Sequence, residues 1–305
     1  LGNAAFAVDV GVNATAGAVS ETATAGTYEF TVTNTTVETV TVGITADGVT
    51  LDNQPTIAFQ AGAAANYNIG TIGSPQTAGT LFEITITAED GSGNTATGYN
   101  GTATLTTTAG TITPGSAEFI NSVATLNVTV TDAGSGQTVT ADDGTISATS
   151  NTFTVDPGAP ATVVASDIQN TAAANGAEEL EYLVTVEDAN ANPVSGVTVI
   201  VTDNGSGISY TGDGSSLVTD LNGQVTFTAV SSIDQADVTF TFTEQVNTIS
   251  TTSTGSFTDN SGFTVADPGG QTAGQEFNLD ISDTRGVDGT LLDGNLNVTV
   301  TSDLD

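Results

Sequence analysis

The chain has 305 residues, with 35 acidic side chains against a single basic one, Arg285, and no His, for a formal charge of -34. A surface of that sign repels nucleic acid and anionic membranes, whose binding needs Lys and Arg to displace counterions, so neither is expected as a partner. With no His, Cys or Lys, Ser-His-Asp, Cys-His, Schiff-base and Ser-Lys chemistry cannot be assembled, and Lys-Asn isopeptide staples are excluded as well; no enzyme is expected.

Hydrophobic residues make up 37% of the chain, enough to pack real cores, and the length suits about two to three domains. Self-repulsion from the acidic surface is hidden only in salt, where the Debye length falls to roughly 8 Å or less, which points to a saline or divalent-rich setting. The absence of Cys, Met and Trp leaves no disulfide framework and nothing readily oxidised. One basic residue offers trypsin-like proteases one site, which suits an extracellular, cell-surface product. No apolar run approaches the roughly 20 residues of a membrane span, and no signal-peptide core is present. Starting at Leu1, the chain reads as a mature or excised product whose export signal has been removed.

Period-two alternation recurs along the chain, at TYEFTVTNT (27–35), LFEITITAED (81–90), ATLNVTVTD (124–132), QVTFTAV (224–230) and DVTFTFTEQ (237–245). Thr, Val, Ile and Phe alternating between Gly, Asn and Asp turns predict half-buried antiparallel strands, and helical periodicity is nearly absent. The class is all-β, and short strands at this spacing predict tandem β-sandwich domains. TAGTLFEITITAEDGSGN (77–94), ELEYLVTVEDANANPV (179–194) and TAGQEFNLDIS (272–282) share an opening-strand pattern, with Phe82, Tyr182 and Phe277 as equivalent positions 100 and 95 residues apart. TIAFQAGAA, TFTVDPGAPA and GFTVADPGG, at Phe59, Phe153 and Phe263, mark domain ends with spacings of 94 and 110.

The DPG turns are credible junctions, since Pro cannot continue a ladder and Gly supplies permissive dihedrals. Cutting there predicts complete domains over 63–156 and 157–266. Residues 1–62 then carry a domain's late strands without its opening, and 267–305 carry an opening without an end. Together their lengths make one repeat.

EDANANPVSGVTVIVTDNGSG (187–207) followed by VTDLNGQVTFTAVSS (218–232) resembles the bacterial immunoglobulin-like (Ig-like) domains of the invasin and intimin type. ETVTVGITADGVTLDNQPTIAFQAGAA (38–64) looks like the last two strands of the same kind of domain. The resemblance implies tandem Ig-like sandwiches that space an adhesive tip from a cell surface or pack into an appendage. No tip domain, such as a lectin-like module, is recognisable.

Among candidate sites, the adjacent acids Glu178 and Glu179, and Asp142 and Asp143, fall in turn-like stretches and read as solvated loops rather than glycosidase pairs. Calcium is the cation the oxygen donors would suit, although no cofactor is required. Asp188, Asn190 and Asn192 have the spacing of half an EF-hand-like loop, but lack its Gly and its closing Glu; in the family resembled, this stretch is a plain turn. Other oxygen-rich turns are Asp203 with Asn204, Asp213, and Asp220 with Asn222. The densest cluster is Asp280, Asp283, Asp288 and Asp293 around Arg285, where a salt bridge competes with a metal. Six N-x-S/T sequons, at Asn13, Asn34, Asn100, Asn127, Asn204 and Asn297, are glycosylation candidates. Phe82, Phe153, Phe227, Phe240 and Phe263 read as core or boundary packing.

Two functions follow. In the first, the chain is an extracellular filament subunit whose partner is itself: the half-domain at 267–305 of one molecule completes the half-domain at 1–62 of the next, head to tail. In the second, it is an excised segment of a long repetitive adhesin stalk that presents a distant ligand-binding tip.

Overall fold

The computed structural model describes residues 5–258, 263–265 and 281–283. They form strands and turns throughout, with no helix among the described residues. The chain divides into two compact units, Leu1–Ala159 with the loop Ala189–Asn192, and Pro160–Asp188 with Pro193–Asp305.

The first unit opens with nine short strands: β1 (Phe6–Asp9), β2 (Ala14–Ala16), β3 (Ser20–Glu21), β4 (Tyr28–Glu29), β5 (Val32–Asn34), β6 (Thr39–Thr41), β7 (Gly43–Ala46), β8 (Val49–Thr50) and β9 (Thr56–Ala58). Their ladders are small, in the orders β1-β7-β8, β2-β5, β3-β4 and β6-β9. The single strand expected over 27–35 is interrupted at Phe30 and Thr31. There Thr31 O accepts from Gly17 N at 2.8 Å, outside either ladder, and splits the hairpin into its β2–β5 and β3–β4 parts. Only Val10, Val40 and Val42 are fully buried in this set, with Val8, Phe30, Val32 and Ile44 among the half-buried side chains around them.

Eleven strands complete the first unit: β10 (Asn66–Ile69), β11 (Gln76–Thr77), β12 (Phe82–Glu89), β13 (Thr102–Thr107), β14 (Ile112–Thr113), β15 (Ser116–Glu118), β16 (Val123–Val130), β17 (Gly134–Gln137), β18 (Val139–Asp142), β19 (Ser147–Thr149) and β20 (Phe153–Asp156). They build sheets of order β10-β12-β16-β14, β11-β20-β17 and β15-β13-β18-β19. Strict alternation in FEITITAE places Phe82, Ile84, Ile86 and Ala88 inward, and β16 answers with Ala124, Val128 and Val130. This set shares a core of 21 buried apolar residues. Within it Tyr67 stacks on Phe119 with ring centroids 4.9 Å apart, and Phe82 meets Phe153 edge-on at 5.9 Å.

The second unit carries β21 (Pro160–Gln169), β22 (Thr171–Ala173), β23 (Leu180–Asp188), β24 (Thr198–Asp203), β25 (Ile208–Thr211), β26 (Ser216–Val218), β27 (Gln224–Ser231), β28 (Gln235–Glu244) and β29 (Ser250–Thr258). Two sheets, β21-β23-β27-β25 and β22-β29-β28-β24-β26, face each other as a β-sandwich. Between them Tyr182, Phe227, Phe240 and Phe242 pack ring against ring with centroids 5.3 to 6.2 Å apart. All four are completely buried, and each contributes roughly 1.5–3 kcal/mol by leaving water. Gly223 closes the turn of LNGQV at φ +68°, where a β-carbon would stand 2.5 Å from Val186 O, so both dihedral and space require glycine.

The two sets β10–β20 and β21–β29 share a ladder order. β10-β12-β16-β14 matches β21-β23-β27-β25, and the parallel pair β11–β20 matches the parallel pair β22–β29. Between them, β20 ends at Asp156 and β21 begins at Pro160, so that of the DPG stretch Asp156 still pairs with Thr77 while Pro157 and Gly158 lie outside any ladder. Two further strands, β30 (Phe263–Val265) and β31 (Ile281–Asp283), pair antiparallel with each other. β30 falls within the stretch expected to close the domain 157–266, yet it joins no ladder of β21–β29.

Candidate functional site

Carboxylates in this chain organise the loops at strand ends. Asp90, directly after β12, is buried and accepts Gly62 N at 2.9 Å, Ser92 N at 2.8 Å and Asn94 N at 2.9 Å. The Asn94 side-chain amide adds bonds to both Asp90 oxygens at 3.2 and 3.1 Å. The bond from the Gly62 amide, followed by those from Asn94, holds the Asp90 carboxyl well below the usual carboxylate range. The same Asn94 amide reaches Thr35 O at 2.9 Å, at the rim of a cavity of about 270 Å3 lined by Asn34, Thr36, Gln60 and Asp90.

Asp220 repeats the device, accepting Asn222 N at 2.8 Å and Gln224 N at 2.9 Å; the bond to Gln224 is the main reason its carboxyl is also lowered. Glu244, 1% exposed, accepts Val246 N at 2.8 Å and Asn247 N at 2.6 Å.

A second arrangement centres on Asp143. One of its oxygens accepts Thr145 N at 2.8 Å and Ile146 N at 2.7 Å, while the other accepts the hydroxyls of Tyr67 and Tyr99, both at 2.8 Å. The two hydroxyls lie 2.5 Å apart. The bond from Ile146 N, reinforced by Tyr99, holds Asp143 below its ordinary range, while burial pushes the Tyr67 hydroxyl above its own. Tyr67 and Asp143 are 76 residues apart, and no pattern in the sequence joins them.

The expected acidic pairs are also engaged in loops. Asp142 accepts Gly144 N at 2.7 Å beside Asp143. Glu178 accepts Ala173 N at 3.1 Å, and Glu179 accepts the Thr211 hydroxyl at 2.7 Å. Of the oxygen-rich turns, Asp203 accepts Gly205 N at 2.8 Å and the Tyr210 hydroxyl, and Asn204 accepts Thr239 N at 2.8 Å. Asp213 is exposed.

Asp188 ends β23 and is 2% exposed, and Asn190 is half-buried. Asn192, in the loop that groups with the first unit, donates to Thr131 O and accepts from Ala133 N, both at 2.8 Å. Among the described residues no group of three or more His, Cys, Asp or Glu is placed to hold a metal ion. Asp280, Arg285, Asp288 and Asp293 lie outside the described residues, as does the side chain of Asp283. Among the sequons, Asn13, Asn100, Asn127 and Asn204 are exposed, Asn34 is half-buried with its amide on Glu38 Oε1 at 2.7 Å, and Asn297 lies outside the described residues.

Residues 162–236 match the family model described as bacterial Ig-like domain (group 1). The second unit thus carries a bacterial Ig-like domain. The resemblance read at 187–207 and 218–232 falls within the matched segment, which runs from β21 through β27 and ends as β28 begins.

Among solved structures, the chain is similar to invasin, a bacterial integrin-binding protein, with 20% identity over 87% of this chain and 55% of that one and a TM-score of 0.41. It is similar to the Escherichia coli adhesin FdeC at 19% identity, covering 84% and 86% of the two chains with a TM-score of 0.41. The D0-D1 domain of intimin matches at 18% identity over 63% of this chain and 97% of its own, with a TM-score of 0.28. No curated protein matches the chain.

Proposed function

We propose that this chain is an extracellular structural protein of the cell surface, a subunit that extends a filament head to tail by strand complementation. The observation that carries the reading is the serial repetition of one ladder order in β10–β20 and β21–β29, joined by three residues. Antiparallel sandwiches in series bear load through many ladder hydrogen bonds at once, and a short Pro-containing junction limits bending. The acidic pairs that could have formed a reactive centre instead accept hydrogen bonds from backbone amides and from hydroxyls. An acidic exterior keeps neighbouring filaments apart.

The family match at 162–236 favours a second arrangement, in which the same domains form part of a long adhesin stalk that carries a ligand-binding tip. The mass of the native polypeptide separates the two: about the 30.3 kDa of this chain for the subunit, several times more for the stalk.

Single-molecule extension tests the load-bearing role. Each sandwich of roughly 100 residues should release about 30 nm of chain in one step, at up to about 3.5 Å per residue. Two such discrete steps are expected; smooth lengthening without steps would count against a structural role under load.

A further inference from the structure

Residues 5–58 have the arrangement of a sandwich's later strands. β1 pairs with β7 as β13 does with β18, β2 with β5 as β14 does with β16, and β6 with β9 as β17 does with β20. Nothing among these strands corresponds to β10, β11 or β12. The edge of β4–β5 turned away from β2–β3 therefore has no ladder partner among the described residues; it is the edge that β12 covers on β16 and β23 covers on β27.

The cost is visible in the packing. Three apolar residues are fully buried in this set, against 21 and 15 in the other two cores. Val12 is 97% exposed, at the rim of a cavity of about 440 Å3 that Val10 and Val40 line together with Asp9, Glu38 and Gln54. Open edges and an uncovered apolar face are unstable and invite pairing.

The missing strands are those that β30 and β31 resemble. Val265 lies opposite Ile281 in their antiparallel pair, as Ile69 lies opposite Ile86 in β10–β12. The sequence QTAG precedes β12 at 76–79 and precedes β31 at 271–274, which aligns Ile86 with Ile281. A two-stranded sheet of this kind is marginal by itself.

Resting on the filament reading, we propose that the β30–β31 sheet of a second copy docks on the free edge of β4–β5, so that the joint between subunits is an Ig-like sandwich shared by two chains.

The register follows from residues already placed. The carbonyl just past β5, Thr35 O, receives Asn94, and the carbonyl just past β16, Thr131 O, receives Asn192, so the two strands align with Thr35 at Thr131. Half-buried Tyr28, Phe30 and Val32 then stand where Ala124, Leu126 and Val128 stand. In the complete sandwich Ile86 is opposite Ala124 and Thr87 opposite Val123. The shared joint accordingly sets Ile281 of one copy against Tyr28 of the next, and Ser282 against Thr27.

Thr27 is exposed, and the chain has no cysteine of its own, so a disulfide reports the joint cleanly. The full chain carrying Thr27→Cys and Ser282→Cys, oxidised and run on a denaturing gel, should give a ladder of covalent multimers. Thr31→Cys with Ser282→Cys should give none, because four residues displace the partner by about 13 Å, beyond the ~7 Å a disulfide can span. Multimers with both pairs, a disulfide closed within one chain, or an uncrosslinked wild-type chain that sediments as a monomer at every concentration would each overturn the proposal. The two extension steps of the intact sandwiches do not depend on the joint, so its failure would be distinguishable from failure of the structural role.

Discussion

Tyr182 turns its hydroxyl onto Gly255, into the space that a β-carbon on that glycine would fill, and no hydrogen-bond partner meets it among the described residues. Burial pushes the hydroxyl's pKa above its ordinary value, with the Asp167 carboxylate adding to the effect. An unsatisfied buried hydroxyl costs about 1–3 kcal/mol, so Tyr182→Phe should stabilise the second unit and raise its melting temperature by several degrees. Gly255→Ala should destabilise it by about 1–3 kcal/mol through overpacking. In the double variant, Tyr182→Phe should recover part of that loss, because it removes the oxygen the new methyl would meet; the coupling is readable in a double-mutant cycle of thermal melts. Additive effects would show that the two residues are not in contact.

Acid should unfold the 66–156 sandwich in part through Asp143, alongside Asp90, whose carboxyl is also held low in the folded state. The pKa of Asp143 is lowered in the folded state, first by the bond from Ile146 N and then by Tyr99. A depressed carboxylate contributes stability that is present above the unfolded pKa of roughly 3.9 and is lost as pH falls from there through the folded value. Protonation also relieves the self-repulsion of a chain with a charge of -34, which works in the opposite direction. Measured in ~1 M salt, where the Debye length is about 3 Å and repulsion is screened, melting temperature should be flat above about pH 5 and fall below pH 4. Asp143→Asn should lower the plateau and flatten that fall. An unchanged acid limb in the variant would remove Asp143 from the account.

Salt should raise stability near neutral pH. With 35 acids and one base, moving from about 10 mM to 1 M salt shortens the Debye length from about 30 to 3 Å and removes most like-charge repulsion. The melting temperature should rise by several degrees, and association of the acidic chains with one another should strengthen over the same range. Equal melts at both salt concentrations would show the charges to be spaced widely enough not to interact.

The sandwiches are legible in the sequence because their faces obey period two. The runs expected at 81–90 and 224–230 are β12 (Phe82–Glu89) and β27 (Gln224–Ser231), both half-buried strands in which alternation is the burial pattern. The single strand expected over 27–35 fails because alternation continues through Phe30 and Thr31 even though the ladder does not; a break in hydrogen bonding leaves no trace in a hydrophobic pattern.

The loop carboxylates are legible only in part. Asp188, Asn190 and Asn192 space their oxygens as a calcium loop would, yet Asp90 and Asn94 have the spacing of Asp188 and Asn192, and Asp90 binds the amides of its own loop. The tyrosine pair on Asp143 depends on three segments meeting in space, which no local signal encodes.

Electron microscopy of the purified 305-residue chain across a range of protein and salt concentrations tests the central claim most directly. Filaments that lengthen with concentration, and that are linked covalently by Thr27→Cys with Ser282→Cys, are the expected result. Separate short particles at every concentration would contradict it.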